Sequence, residues 1–222
     1  MLKFLENQLI VSCQPCTGGP MDRPSIVAAL ACAAVEGGAT AVRVEGIRNV
    51  EAVRAACDAP IIGIVKVDLA DSPVRITPFT QNIRDLTAAG SDIIALDVTD
   101  RPRPERLEDL FQAIKFCGVL SMADCSCLAD GEGALRFGAD ILATTMAGYT
   151  TPHTAPEPDL ELVVKLAALG RFVIAEGRYN TPALAAAALA AGANAVVVGS
   201  AITRTEVVTG WFASAVKAGA KL

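Results

Sequence analysis

Aromatic side chains are scarce in this chain. Its 222 residues include one Trp, two Tyr and seven Phe, 5% in all, although 52% of the residues are hydrophobic. A buried core must therefore consist mainly of Ala, Val, Ile and Leu, as it does where strands and helices alternate. A chain of this length buries most of the surface that its unfolded form exposes, so we expect one domain over residues 1–222. The composition favours an α/β fold.

An excess of basic residues is also missing. The chain has 19 Lys and Arg against 24 Asp and Glu, which gives a formal net charge of −5. Proteins that bind the phosphate backbone of nucleic acids cluster Lys and Arg on one face, so we expect no nucleic-acid partner. The single histidine, His153, excludes a multi-histidine metal centre, and no cysteine pair has the second paired element of a zinc site. We expect no metal.

Long hydrophobic runs are absent as well. No apolar run approaches the roughly 20 residues that cross a bilayer, so we expect no membrane association. The opening residues MLKFLE lack the extended apolar segment of a secretory signal. Seven cysteines, an odd number in a chain of this size, favour a reducing compartment and free thiols over a disulfide framework. The expected location is the cytoplasm.

A short pattern recurs four times along the chain. Small residues lead to a glycine and then to a β-branched or apolar run, and these glycines (Gly38, Gly90, Gly138 and Gly192) lie 52, 48 and 54 residues apart. Such a glycine takes the left-handed conformation that ends a helix, so each copy marks a junction from helix to strand. The spacing is about twice the length of a βα unit, and another apolar run lies inside each interval.

The pattern therefore predicts eight strands and eight helices in alternation. The predicted strands span 8–13, 40–45, 61–66, 92–97, 118–123, 140–145, 172–176 and 195–199. The predicted helices span 24–36, 49–57, 80–89, 105–116, 128–137, 159–168, 182–191 and 206–217. Eight consecutive βα repeats in so short a chain indicate a closed (β/α)8 TIM barrel with short loops. The irregular segment 147–158 is a candidate lid with Gly148 as its hinge.

Polar residues stand at the end of every predicted strand, although strands buried on both faces are normally continuous runs of Val, Ile and Leu. In chain order they are Gln14; Arg43 and Glu45; Lys66 and Asp68; Asp97; Asp124; Thr144 and Thr145; Glu176 and Arg178; and Ser200. Active sites of TIM barrels form at the carboxyl ends of the strands. The sequence therefore predicts a polar site at that end of the barrel.

Lys66 ends the apolar run IIGIVK. Its neighbours would exclude water from the ammonium group and lower its pKa, so that Lys66 can act as a base or form a Schiff base. The alternative is a structural lysine neutralised by Asp97 or Glu176. Arg43 and Glu176 have the same alternative, as members of buried ion pairs.

Glycines follow the last two predicted strands. Gly177 and Gly199-Ser200 stand where the loops after strands seven and eight commonly hold a phosphate group, because glycine lets backbone N–H groups approach an anion. A tight turn alone would also explain Gly199-Ser200. A small phosphorylated ligand is the predicted occupant.

Several motifs, in this order along almost the whole chain, resemble the N-acetylmannosamine-6-phosphate 2-epimerase family of ribulose-phosphate-binding type TIM barrels. They are LIVSCQ at 9–14, IGIVK at 62–66, ITP at 76–78, IALDVT at 94–99, MAD at 122–124, TTMAGYT at 144–150, AEGR at 175–178 and VGSAITR at 198–204. The resemblance implies an isomerase of amino sugar and sialic acid catabolism. Its expected substrate is a phosphorylated N-acetyl amino sugar, inverted at C2 by removal and return of a proton.

The resemblance also implies roles for individual residues. Lys66 matches the family's proton-transferring lysine and Glu176 its catalytic carboxylate. The positions expected to hold the sugar are Gln14, Arg43, Asp124 and Arg178. Those expected to bind the phosphate are Gly177, Gly199, Ser200 and Arg204. Such a reaction requires no metal and no organic cofactor.

Two other functions remain open on the residues alone. The first is an aldolase or synthase on the same fold, in which Lys66 forms a Schiff base with a phosphosugar. The second is a non-catalytic barrel that senses a phosphosugar or binds RNA, although the acidic composition disfavours RNA. The apolar last helix, with Trp211 and Phe212, predicts a homodimer.

Overall fold

Eight parallel strands form a closed barrel in the order β1 to β8, each paired with its neighbours in sequence and β8 with β1. A computed structural model describes residues 1–150 and 156–220. The strands are β1 Gln8–Cys13, β2 Ala41–Glu45, β3 Ile61–Ile64, β4 Ile93–Asp97, β5 Leu120–Asp124, β6 Ile141–Ala143, β7 Phe172–Glu176 and β8 Ala195–Val198. The predicted (β/α)8 TIM barrel is confirmed.

Helices connect the strands and cover the outside of the barrel. They are α1 Leu2–Leu5, α2 Pro24–Glu36, α3 Ile47–Ala56, α4 Thr80–Ala88, α5 Leu107–Cys117, α6 Leu128–Arg136, α7 Leu160–Ala167, α8 Pro182–Ala190, α9 Ser200–Thr203 and α10 Thr205–Gly219. The eight predicted helices are present, within three residues at each end. The short helices α1 and α9 are additional. None of the helices described in residues 1–150 and 156–220 is long and apolar enough to span a membrane.

The strands carry two apolar layers because their side chains alternate between the inside and the outside of the barrel. The inner layer contains Ile10, Ala41, Ile62, Ile64, Ile93, Ala95, Met122, Ile141, Ala143, Ile174, Ala195 and Val197. The outer layer packs against the helices and includes Val42, Val44, Ile94, Leu96, Leu142 and Val173. Small and β-branched residues fill both layers, as the scarcity of aromatics predicts.

The alternation turns polar at the carboxyl end of the barrel. One step beyond the inner apolar residues, the inward positions are held by Ser12 on β1, Arg43 on β2, Asp97 on β4, Asp124 on β5 and Glu176 on β7. The ladder places Ser12 beside Arg43 and Asp97 beside Asp124. The barrel register thus brings residues that are far apart in sequence into one polar layer.

The opposite end of the barrel is closed by α1. Leu5 of this helix is fully buried and belongs to the inner apolar layer, and Leu2 packs against the same layer. The backbone N–H of Asn7 donates to the carbonyl of Asn194, which joins the start of β1 to the start of β8. Helix α1 therefore covers the inner apolar layer at this end of the barrel.

The third strand is shorter than predicted. The pattern predicts 61–66, but β3 ends at Ile64 and pairs with β4 only through Ile62 and Gly63. The chain then leaves the barrel ladder, and Lys66 instead forms an isolated antiparallel bridge with Ile76. The prediction was wrong here because the apolar run continues through the point at which the pairing changes.

Gly63 is required by close packing outside β3. A Cβ at this position would lie 2.1 Å from Ser91 Oγ and 2.9 Å from Ser91 Cβ, so a side chain forces β3 or the α4–β4 junction to move. We expect Gly63→Ala to lower the free energy of unfolding by about 1–3 kcal/mol in urea denaturation. Gly133→Ala is the matched control, because Gly133 lies within α6 with no atom within 4 Å of the added Cβ. An equally small effect of both changes would contradict the packing explanation.

Candidate active site

A cavity of about 490 Å³ opens at the carboxyl end of the barrel. Nine of the ten predicted site residues line it: Gln14, Arg43, Lys66, Glu176, Gly177, Arg178, Gly199, Ser200 and Arg204. The tenth, Asp124, is fully buried and is not among the described residues that line the cavity. The structure therefore brings together residues from five separate stretches of the chain.

Arg43 lies at the centre of the cavity floor and joins two carboxylates. Its Nη1 donates to Glu176 at 2.5 Å and to Asp124 at 3.1 Å, while Nη2 donates to the second Asp124 oxygen at 2.7 Å. Asp124 also accepts from the hydroxyl of Thr145 at 2.6 Å. The guanidinium is 1% exposed, so the bidentate pair with Asp124 fixes its plane. Asp124 acts beneath Arg43 and not at the cavity surface.

Glu176 ends β7 and is the carboxylate of this cluster that faces the cavity, with its side chain 13% exposed. Burial raises its pKa to about 7, and the neighbouring Asp124 carboxylate adds to this rise, while Arg43 opposes it. Thr144 fixes the local backbone, because its hydroxyl donates to the Glu176 carbonyl at 2.8 Å and accepts from the Glu176 N–H at 3.0 Å. Glu176 can therefore accept or donate a proton near neutral pH.

Lys66 lines the same cavity. Its Nζ donates to Gln14 Oε1 at 2.7 Å, and Gln14 Nε2 donates to the Ser12 hydroxyl at 2.8 Å. Burial lowers the pKa of Lys66, and the positive charge of Arg43 lowers it further. Lys66 itself stands at an exposed position of the chain, so the direction of this shift reflects the partial burial of its amine together with the cation of Arg43.

The predicted phosphate-binding residues lie together at one side of the cavity. Gly199 follows β8 and begins the short helix α9, so Ser200 stands at the first position of that helix. Arg204 ends α9, and its Nε donates to the backbone carbonyl of Gln14 at 2.8 Å, which places the guanidinium beside the cavity. Gly177 has a φ of +110°, which favours glycine. A planar cation and flexible backbone suit a phosphate group.

Arg178 connects the end of β7 to the loop after β6. Its Nη1 donates to the carbonyl of Ala147 at 2.9 Å, its Nε donates to the carbonyl of Glu157 at 2.9 Å, and its guanidinium lies 5.3 Å from the centre of the Tyr149 ring. Gly148 has a φ of +76°, as a hinge position allows. The central part of the candidate lid, 151–155 with His153, lies outside the described residues.

Several cavity residues were not predicted from the sequence as site residues. They are Ser12, Arg75, Arg101, Tyr149, Asn180 and Trp211, among others. Arg101 is held by Asp97 at 2.5 Å, and Arg75 pairs with Asp68 at 2.5 Å, so the rim carries two further cations. Arg101 lies four residues after Asp97, the last residue of β4. Its closeness to a strand end is the feature of the sequence that indicates Arg101 as a site residue.

A parallel (β/α)8 barrel with a cavity of this kind at the carboxyl ends of its strands is typical of enzymes that act on small, anionic substrates. A lysine of lowered pKa and a glutamate of pKa about 7 are able to transfer protons, and arginines are able to bind negative charge. The comparisons with known proteins narrow this class. The sequence model of a family described as “Putative N-acetylmannosamine-6-phosphate epimerase” matches residues 27–218. The chain belongs to this family.

Individual relatives agree with the family assignment. Proteins of Yersinia pestis (strain Pestoides F) and Yersinia pseudotuberculosis serotype O:3 (strain YPIII) are each 58% identical over 213 residues, which are 96% of this chain and 91% of theirs. Both carry the name “Putative N-acetylmannosamine-6-phosphate 2-epimerase”. The solved N-acetylmannosamine-6-phosphate 2-epimerase of Clostridium perfringens is 39% identical and superposes with a TM-score of 0.93, over 96% of this chain and 95% of that one.

Proposed function

We propose that Lys66 and Glu176 carry the proton transfers by which this chain, an N-acetylmannosamine-6-phosphate 2-epimerase, interconverts the manno and gluco epimers of its substrate. The observation that carries the proposal is that one cavity is lined both by a lysine of lowered pKa and by a glutamate of raised pKa, the glutamate being hydrogen-bonded to Arg43. The reaction belongs to amino sugar catabolism and acts on N-acetylmannosamine 6-phosphate, in keeping with the family and the named relatives.

Inversion at C2 requires a base and a place for negative charge. The C2 hydrogen of the opened sugar is acidic because the C1 carbonyl can become an enediolate oxygen. Lys66, whose pKa burial lowers, is the base that removes this proton, and C2 is inverted when the planar enediolate turns its other face to the lysine before the proton is returned. Arg43 stabilises the developing negative charge, since its guanidinium is held rigidly by Asp124 and needs no reorganisation during the reaction.

Glu176 is the second proton-transfer group. Its pKa of about 7 lies near the pH at which a group exchanges protons most effectively in both directions. We assign it the proton of the ring oxygen or of the C1 hydroxyl, so that the sugar opens before C2 reacts. Side chains supply every step of this scheme, so the proposed reaction uses neither a metal nor an organic cofactor.

The remaining site residues hold the substrate in this scheme. Gln14 and Arg178 bind the sugar, together with Arg43, while Asp124 contributes by fixing Arg43. The phosphate lies against the backbone of Gly177, Gly199 and Ser200 and the side chain of Arg204. This division places the phosphate at the α9 side of the cavity and C2 near Lys66.

Proton NMR in deuterated water tests the function directly. N-acetylmannosamine 6-phosphate is incubated with the purified protein and a chelator, and we expect the gluco epimer to appear with deuterium at C2. A folded protein that gives no conversion would refute the proposal. In that case, borohydride trapping of a covalent adduct on Lys66 would favour the aldolase or synthase reaction, and its absence would favour a sensor.

We also propose that residues 1–222 form one domain and that the chain is a cytoplasmic homodimer. The strands of one barrel run from Gln8 to Val198, and all seven cysteines are free thiols.

Helix α10 has no buried residue, and it exposes Trp211, Phe212 and Val216. An apolar patch of this kind suggests a partner surface, which we assign to a second copy. Sedimentation equilibrium is expected to give twice the chain mass of 22.9 kDa; a monomer would contradict this assignment.

A further inference from the structure

Lys66 lies outside the strand ladder of the barrel, so its position depends on other contacts. Beyond Ile64 the chain forms a small antiparallel hairpin instead of continuing along β4. Lys66 is bridged to Ile76, the Val67 N–H donates to the Arg75 carbonyl at 3.0 Å, and the Thr77 N–H donates to the Val65 carbonyl at 2.8 Å. The second arm of this hairpin therefore carries the backbone of Lys66.

Thr77 holds the residue before Lys66 from two sides. Its N–H binds the Val65 carbonyl, and its hydroxyl oxygen accepts from the Val65 N–H at 3.4 Å. The same hydroxyl donates to the carbonyl of Ala95 on β4 at 2.7 Å. Thr77 is fully buried, so these bonds do not compete with water. The hydroxyl thus links the chain at Lys66 to a neighbouring strand of the barrel.

The backbone of Thr77 is strained. Its φ is +48°, a region that β-branched residues rarely adopt and that glycine occupies at no steric cost. Strain of this kind persists where surrounding contacts require it, and it concentrates at functional sites. Glycine would remove the strain but would also remove the hydroxyl. The presence of threonine at this position therefore indicates that the hydroxyl is needed.

We propose that Thr77 is a positioning residue for Lys66: its buried hydroxyl and N–H fix Val65 so that the lysine amine stays against Gln14 inside the cavity. The proposal rests on the proposed function of Lys66 as the proton-transferring base. The peptide bond between Val65 and Lys66 has a second anchor in Glu45, whose carboxylate accepts from the Lys66 N–H at 3.2 Å. Without the Thr77 hydroxyl, this peptide bond loses its link to β4 through the carbonyl of Ala95.

Loss of this positioning has a definite effect on the lysine. The charged groups around its amine are Arg43 and Glu45 on β2, Glu176 on β7 and Arg204 after α9. An amine that leaves its place moves away from Arg43 and into water, and both changes raise its pKa towards the ordinary value. The pH at which turnover rises with lysine deprotonation then moves upward. A general loss of folded protein lowers the rate but does not move this limb.

The test compares three substitutions of Thr77. Thr77→Ser keeps the hydroxyl, Thr77→Ala differs from it by one oxygen atom, and Thr77→Gly fits the observed φ without a hydroxyl and so protects the test against misfolding. We expect kcat to fall about 10- to 100-fold in the Ala and Gly variants, while KM stays within about twofold of the parent. In both variants, the part of the pH–rate profile in which turnover rises with pH is expected to lie at higher pH. The Ser variant is expected to stay within about threefold of the parent in kcat, with an unmoved limb.

Two controls separate the possible failures. Thr40→Ala removes a threonine hydroxyl bond, to Gln8 at 2.9 Å, at the base of the barrel, and is expected to leave kcat and the pH profile unchanged. Lys66→Met is expected to be inactive. Parent-like kcat and pH limbs in the Ala and Gly variants, with Lys66→Met inactive, would overturn the role of Thr77 alone. Turnover by Lys66→Met would overturn the proposed function and this inference with it.

Discussion

Lys66→Met is expected to lower kcat by about 100- to 10,000-fold, the contribution that a positioned base typically makes to proton transfer. Methionine preserves most of the side-chain volume but provides no group that can take the C2 proton. Binding should persist, since the change leaves the residues assigned to the phosphate, Gly177, Gly199, Ser200 and Arg204, in place. Epimerisation is measured by NMR, and substrate binding by isothermal titration calorimetry.

Lys165→Met provides the matched control. Lys165 is a half-exposed lysine on α7 that pairs with Glu161 at 2.7 Å. It is not among the described residues that line the cavity. Its replacement is expected to leave kcat and KM within about twofold, because exposed pairs on helices contribute little. Solvent deuterium exchange at C2 that continued at the parent rate in Lys66→Met would assign the base to another residue.

Arg43→Met is expected to produce the largest loss of stability. The change leaves Asp124 and Glu176 buried without their counter-ion, and breaking a buried ion pair costs about 3–5 kcal/mol. For a domain of this size, that corresponds to a fall in Tm of roughly 6–20 °C. Urea denaturation and thermal melting followed by circular dichroism measure both quantities. Turnover should also fall, because the developing charge loses its cation.

The effect of Arg43→Met is expected to depend on pH with a definite sign. Arg43 lowers the pKa of Glu176, so its removal raises that pKa above the value of about 7 that it has in the intact site. A carboxyl group with a raised pKa stabilises the fold when protonated, and this contribution is lost as the pH rises through the folded pKa. The variant should therefore lose more stability at pH 8 than at pH 6. Equal losses at both pH values would contradict this account.

Arg106→Met is the control for removal of an arginine that has two carboxylate partners. Arg106 precedes α5 and pairs with Glu108 and Asp109 at the exposed surface. Because water and salt screen such pairs, its replacement is expected to cost less than about 1 kcal/mol. A loss comparable to that of Arg43→Met would show that burial is not what makes the central cluster important.

The barrel and most of its site were predictable from sequence for simple physical reasons. The glycines that end the helices, Gly38, Gly90, Gly138 and Gly192, all have a φ between +84° and +105°, as the repeat predicts. Strands buried on both faces show as continuous apolar runs, so a charged residue at the end of such a run is conspicuous. Strand order then follows from the short right-handed connections of βα units.

Other parts of the site depend on contacts that no local pattern records. The depth of Asp124 beneath Arg43 is set by the stagger of neighbouring strands, and a polar strand end reads the same whether it faces a ligand or a buried arginine. The end of β3 is hidden because Val65, Lys66 and Val67 continue the alternation while their partner changes from β4 to the hairpin at Ile76. Helix α1 has four residues, too few to show a period.

Helix α1, which closes the end of the barrel opposite the cavity, affects how substrate and product enter and leave the active site. Because Leu5 packs in the inner apolar layer at that end, we expect substrate and product to use the same opening of the cavity, at the carboxyl ends of the strands. The product of each turnover must therefore leave through this opening before the next substrate molecule can enter. A molecule bound to Tyr149, Trp211 and Arg101, which line the cavity, is expected to inhibit the forward and the reverse reaction together.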